Sequence, residues 1–264
     1  MLLRLFASRM LAALTVGLVL GIAAPRSSAQ VASVIPRVKL SVLAIGTFQA
    51  TRVPQFRFSG TGFVVGNGNV VATNAHVVPA VLEPGADPEV LVAMLPTAAP
   101  SSPEGRRLTV LVSDTEHDVA LLKMDGAPLP PLKLRDSSSV AEGDQLLFTG
   151  FPIGTVLGLF AATHRAMVAA IAPVAIPAAS GQKLDAKVIR RLRDKSFPVF
   201  QLDATAYPGN SGSPLYEPGS GDVVGILNMV LVKSTKESAL SQPSGISYAI
   251  PSRYLLELLA GVKP

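Results

Sequence analysis

The chain has 264 residues, 48% hydrophobic and 16% charged, enough for one large domain or two small ones with a sizeable apolar core. It has no cysteine, which excludes a thiol nucleophile, a structural disulfide, an iron–sulfur cluster and every cysteine zinc site. The histidines, His76, His117 and His164, are too scattered for a local ligand motif of the H-E-x-x-H kind, so no metal or other cofactor is expected. The net charge of +5 includes Arg4, Arg9 and Arg26 of an acid-free leader; beyond Ala29, 20 basic residues face 18 acidic ones, which argues against nucleic acid as a partner.

Residues 1–29 begin with Arg4 and Arg9, continue through an apolar run from Leu11 to Ala24, and end in Ser27-Ser28-Ala29, a small-x-small cleavage pattern. They read as a secretory signal peptide cut after Ala29. The rival is an uncleaved anchor, but at about 1.5 Å per residue the run reaches only about 21 Å of a roughly 30 Å hydrocarbon core. The expected location is therefore periplasmic or secreted, with no stable membrane span after signal removal. Absence of cysteine fits a bacterial periplasm better than a disulfide-dense animal secretion.

In chain order, short β-type runs follow at Val38–Ile45, Gly60–Val65, Val70–Thr73, Val90–Leu95, Leu108–Val112 and Val119–Met124. Gly66-Asn67-Gly68-Asn69 is a hairpin signal. Leu134 to Ser139 is polar and reads as a flexible linker. A second set follows at Gln145–Thr149, Thr163–Ile171, Val199–Leu202, Ser213–Tyr216, Val223–Val232 and Ile246–Ile250. Two groups of short strands predict two all-β units, sandwiches or barrels, over residues 30–135 and 136–264. Tyr254, Leu255, Leu258 and Leu259 predict a short closing helix after Ser252. Residues 172–196 are long for a strand connection. Within them Leu184, Val188 and Leu192 fall at helical spacing beside a basic face that includes Arg190 and Arg191.

The chemistry centres on Gly209-Asn210-Ser211-Gly212-Ser213-Pro214. Glycines on both sides of a serine allow a tight turn that exposes Oγ and turns backbone N–H groups outward. Taken alone this is equally an ordinary polar turn. His76 follows the apolar run Val70-Val71-Ala72, where a strand end delivers an imidazole to a cleft; alone it reads as a surface or core histidine. Asp118 opens a very apolar strand, and a buried carboxylate is costly unless a donor meets it. Order then selects among serine-hydrolase plans. An α/β-hydrolase needs G-x-S-x-G with a later histidine, but Ser213 holds the second glycine position and no histidine follows Ser211. The subtilisin order needs an acid ahead of the histidine, and no Asp or Glu precedes His76. For His76, only the order His, Asp, Ser remains.

His76, Asp118 and Ser211 with their flanks resemble the trypsin-like serine peptidases of the HtrA/Deg kind. Gly60 to Phe63, Thr73 to Val78, Asp118 to Lys123, Asp203-Ala204 with Pro208 to Gly212, and Gly245 to Pro251 follow that family in order. The resemblance spans roughly residues 38–257. It implies an all-β chain of two six-stranded Greek-key β-barrels with a short C-terminal helix, His76 and Asp118 in the first barrel and Ser211 in the second. It also implies an acyl-enzyme mechanism with Gly209, Asn210 and Ser211 as oxyanion donors. The residue six before the nucleophile, at the floor of the primary pocket, is Thr205; this argues against a preference for Arg or Lys. The pocket wall is expected from Gly225 to Met229, with Ile226, Leu227 and Met229 as apolar lining.

Two departures accompany the resemblance. HtrA enzymes usually continue into PDZ domains, for which the residues up to Pro264 leave no room, and Ser213 replaces a common glycine. The function expected is a secreted or periplasmic serine endopeptidase acting on unfolded or damaged polypeptides, with self-association left open. A second reading is a silent trypsin-like module that captures extended segments by strand addition. A third is a non-enzymatic interaction domain that uses the basic insertion.

Overall fold

The computed structural model describes residues 26–95, 105–154, 158–174, 196–228 and 245–262. Among these residues the first element is a helix, α1 (Arg26–Lys39), followed by the strands β1 (Val42–Phe48), β2 (Phe56–Val65), β3 (Val70–Thr73), β4 (Val90–Met94), β5 (Gly105–Asp114) and β6 (Val119–Met124). These six close into an antiparallel barrel in the order β1-β2-β3-β6-β5-β4, with β1 also pairing β4. The remaining strands, β7 (Gln145–Gly150), β8 (Ala162–Val174), β9 (Phe197–Asp203), β10 (Pro214–Tyr216), β11 (Val223–Asn228) and β12 (Ile246–Pro251), form a second barrel. Its order is β10-β11-β12-β9-β8-β7, closed by β10 on β7. The chain then enters α2 (Ser252–Gly261). The expected all-β architecture of two six-stranded barrels with a closing helix is the observed one.

Alternation along the strands builds three packed regions. Leu43, Ile45, Val71 and Leu122 fill the first barrel, and Phe148, Val168, Leu202 and Leu227 the second. A third cluster lies between them, where Phe63 and Leu121 of the first barrel meet Tyr216 and Ile226 of the second and Leu255 of α2, all without solvent exposure. Burying such side chains contributes about 1.5–3 kcal/mol each, and the two barrels share this core. The Tyr216 hydroxyl meets Thr149 Oγ1 at 2.7 Å, and burial pushes its pKa above the usual tyrosine value.

Two expectations are corrected. Val38 is not the start of a strand: it closes α1, whose Val34 and Val38 are buried in the shared cluster with Val31 and Ile35 packed beside them. The four lie at i, i+3, i+4 and i+7, one apolar helix face. Nor is Leu134–Ser139 a loose linker. Leu134 bridges Val223 in parallel, Arg135 N–H donates to Val223 O at 2.9 Å, and Ser252 Oγ donates to Arg135 O at 2.5 Å. Asp136 caps the 3-10 turn Ser137–Ser139 by accepting from Ser138 N–H. The expected cut after Ala29 falls in the first turn of α1. Residues 1–25 and the body of the expected insertion lie outside the described residues.

Candidate active site

His76 stands in a 3-10 turn, Ala75–Val77, that β3 runs into directly. Asp118 closes the β5–β6 turn with φ at 53°, a left-handed conformation that Asp tolerates better than most residues. Its side chain is only 7% exposed. The pair is held tightly: His76 Nδ1 lies 2.5 Å from Asp118 Oδ2, and the His76 backbone N–H donates to Oδ1 at 2.8 Å. A carboxylate only accepts, so the ring proton sits on Nδ1 and leaves Nε2 as an acceptor. Asn228, at the end of β11, donates Nδ2 to the same Oδ2 at 2.7 Å, and Asn74 Nδ2 donates to the Asp118 carbonyl at 3.0 Å. The buried charge therefore has three donors, which meets the cost of desolvating it.

Ser211, 6% exposed, is joined to the first barrel by backbone contacts across the seam. Thr61 N–H, on β2, donates to Ser211 O at 2.8 Å. A Cβ placed on Gly60 would lie 2.7 Å from Val77 Cγ2 and 3.0 Å from Ser211 O, so the residue beside His76 and the Ser211 carbonyl meet over a bare α-carbon. On the other side, Gly212 N–H donates to Leu227 O at 3.0 Å and Leu227 N–H to Ser213 O at 2.9 Å. These bonds lace the serine turn to the strand that ends in Asn228.

The flanking glycines are required by geometry. Gly209 has φ 101° and Gly212 φ 86°, and a Cβ on Gly212 would stand 1.9 Å from Thr61 O; only glycine fits such positions. Asn210 N–H donates to Tyr207 O at 3.0 Å, so it is committed within the turn and does not face outward as an oxyanion donor. Among the described residues no hydrogen bond occupies Gly209 N–H.

The expected pocket residues fare differently. Thr205 is exposed between buried Ala204 and Ala206. Gly225, Ile226 and Leu227 are buried, with Ile226 in the shared cluster and Leu227 inside the second barrel. Met229 lies outside the described residues. Sequence reasoning missed Asn228, Asn74 and Thr61, whose roles arise from pairing across strands.

The other histidines stand apart from the site. His117 pairs with Asp114 at 2.6 Å and stacks on Tyr254 at 4.1 Å, against Phe197 at 4.7 Å. Burial raises the Asp114 pKa, but the ring and backbone N–H of His117 more than reverse this, leaving the carboxyl below its ordinary range. His164 stacks on Phe148 within the second barrel, and burial pushes its imidazole down.

The model of the trypsin-like peptidase domain matches residues 60–226. A probable periplasmic serine endoprotease, DegP-like, of Halomonas elongata is 31% identical over 201 residues, 74% of this chain and 33% of that protein. The protein of the same description from Pseudomonas putida is 31% identical over 192 residues, 73% and 32% respectively. The chain thus spans about a third of the length of the curated relatives it matches. Among solved structures, the Rv3671c protease from M. tuberculosis in its active form superposes with a TM-score of 0.60 at 22% identity, covering 88% of this chain and 85% of that one. The HtrA-type protease AlgW with tripeptide gives 0.58 at 22% identity, covering 87% and 62%. At that identity the structures speak for the fold alone. No helix among the described residues is long and apolar enough to cross a membrane. With its double barrel and a model match across well over half its length, the chain belongs to the trypsin-like peptidase domain family and resembles its HtrA/DegP members.

Proposed function

We propose that the chain is a serine endopeptidase of the periplasm that hydrolyses peptide bonds of unfolded or damaged polypeptides through His76, Asp118 and Ser211. The observation that carries this reading is the buried carboxylate of Asp118, accepting from His76 Nδ1, His76 N–H and Asn228 Nδ2. That arrangement fixes one tautomer and stabilises the imidazolium formed when Nε2 takes a proton. Ser211 Oγ attacks the peptide carbonyl carbon as His76 Nε2 removes its proton. The C–N bond then breaks, and His76 returns that proton to the leaving amine. Water, deprotonated by the same nitrogen, cleaves the ester and releases Ser211. The N–H groups of Gly209 and Ser211 receive the oxyanion, a contribution of about 2.7–4 kcal/mol per donor.

Thr205, expected at the floor of the primary pocket, carries no charge, which favours an uncharged side chain at the primary position over Arg or Lys. The periplasmic setting is supported by the leader and by the descriptions of the relatives. The test uses purified residues 30–264 and its Ser211→Ala variant with reduced casein, cleavage sites being mapped by mass spectrometry. Cleavage by the parent alone is the expected result. Binding of casein by both with cleavage by neither would instead establish the silent capture module.

A further inference from the structure

The turn that carries Gly209 is gripped from behind by the segment leaving β7. Phe151-Pro152-Ile153-Gly154 follows β7 directly, and two of its residues are left-handed, Ile153 at φ 60° and Gly154 at φ 57°. For glycine this is unremarked, but a β-branched residue rarely adopts it and is kept there only by its surroundings. In this conformation the Ile153 N–H donates to Pro208 O at 2.7 Å.

That bond decides the direction of a second group. Pro208 C=O and Gly209 N–H are the two ends of one planar trans peptide and point to opposite sides of it. Holding the carbonyl on the β7 side sends Gly209 N–H to the other side. The next peptide plane is fixed independently, since Thr61 Oγ1 donates to Gly209 O at 2.7 Å and Asn210 N–H to Tyr207 O at 3.0 Å. Thr61 Oγ1 also accepts from Phe151 N–H at 3.2 Å, tying the β7 exit to the same turn. The Phe58 ring, on β2, closes the joint: a Cβ on Gly209 would come within 2.9 Å of it, and one on Gly154 within 2.4 Å. Of the two planes flanking Gly209, the one bearing its N–H is secured at its carbonyl end by Ile153.

We propose that Ile153 is a positioning residue for the oxyanion donor at Gly209: its left-handed backbone, by pinning the Pro208 carbonyl, sets where the Gly209 N–H points. Without the pin, the Pro208–Gly209 plane is free to turn over. A carbonyl oxygen then replaces the donor and repels the oxyanion. The inference rests on the peptidase reading above.

Ile153→Pro removes the N–H and cannot reach positive φ, whereas Ile153→Asn keeps the amide and tolerates the left-handed region. Each is assayed on a fluorogenic peptide carrying a casein site that the parent cuts. Ile153→Pro is expected to lower kcat about 10²–10³-fold, the loss typical of one oxyanion donor, with KM within about threefold. Affinity for a peptide boronic acid, which forms a tetrahedral adduct on serine, falls in parallel. Ile153→Asn restores both. Cleft integrity is read from the Kd of the uncut peptide on Ser211→Ala and on Ser211→Ala with Ile153→Pro, expected within threefold of each other. Unchanged kcat in Ile153→Pro, or a fall in kcat matched by an equal loss of peptide affinity, overturns the proposal. If the parent cuts nothing, the peptidase reading itself fails and this inference falls with it.

Discussion

Asn228 and Asp118 sit on different barrels and share one hydrogen bond: Asn228 Nδ2 donates at 2.7 Å to the carboxylate oxygen that also meets His76 Nδ1. The second barrel therefore orients the acid of the first. A charge-assisted bond in a buried site contributes roughly 1.5–3 kcal/mol. Asn228→Ala is expected to lower kcat about 10–100-fold while KM for a short peptide stays near that of the parent. Steady-state kinetics on the fluorogenic peptide checks this, and an unchanged kcat would show that His76 and its N–H orient Asp118 unaided.

Asp118→Asn tests the tautomer directly. An amide at this position preserves shape, yet its NH₂ group directed at His76 Nδ1 would favour the proton on Nε2, where it blocks transfer from Ser211. The expected loss is about 10⁴-fold in kcat at neutral pH. Circular dichroism should match the parent, since the change removes one charge without altering volume.

Ser213 and Gly150 fit each other. A Cβ on Gly150 would stand 2.0 Å from Ser213 Oγ, and among the described residues neither Ser213 Oγ nor the Asn210 side-chain amide has a hydrogen-bond partner. Ser213→Ala removes an unpartnered buried hydroxyl, so it should raise stability by about 1 kcal/mol. Gly150→Ala should destabilise by about 1–3 kcal/mol through overpacking. Ser213→Gly in the same chain should recover about 1 kcal/mol or more of that loss as a coupling energy. Urea unfolding of the single and double variants reads the coupling; strict additivity would show that Gly150 and Ser213 do not sense one another.

Sequence legibility followed the range of the interactions. Val70–Thr73 and Val119–Met124 were readable to the residue because β-branched and leucine-rich runs end there in turn chemistry. His76, Asp118 and Ser211 stand out in the sequence only jointly, because one order of the three fits a serine-hydrolase plan while none is distinctive alone. The helix α1 was not, although Val31, Val34, Ile35 and Val38 carry its period, because Pro36 and the adjoining leader mask a face whose partners Tyr216 and Val223 lie far along the chain. The docked segment at Leu134 and Arg135 stayed hidden for the same reason, since a polar stretch gives no sign that Val223 will pair with it. Ile153 was illegible in principle. Its role resides in a φ angle and a carbonyl direction that residue type does not encode.

Glu89 offers a test by pH at a point remote from the chemistry. It is 7% exposed and anchors the hairpin between β1 and β2 to the start of β4, accepting from Thr47 Oγ1 at 2.5 Å and pairing with Arg52 Nη1 at 2.5 Å. Arg52 also donates to the carbonyls of Thr47 at 2.8 Å and Gln55 at 3.0 Å. The Thr47 hydroxyl first, and the Arg52 guanidinium next, hold the Glu89 carboxyl below its ordinary range. A folded value below the unfolded one, near 4.3, gives stability that is fully present above the unfolded value and lost as pH falls through the folded one. Glu89→Gln leaves Arg52 without its charge partner and should cost about 3 kcal/mol at pH 7. The gap to the parent should then narrow as pH drops below about 4, because the parent's own carboxyl becomes neutral there. Urea midpoints at pH 7 and pH 3 measure both limbs; a gap that stays constant across them would assign the cost to packing instead of charge.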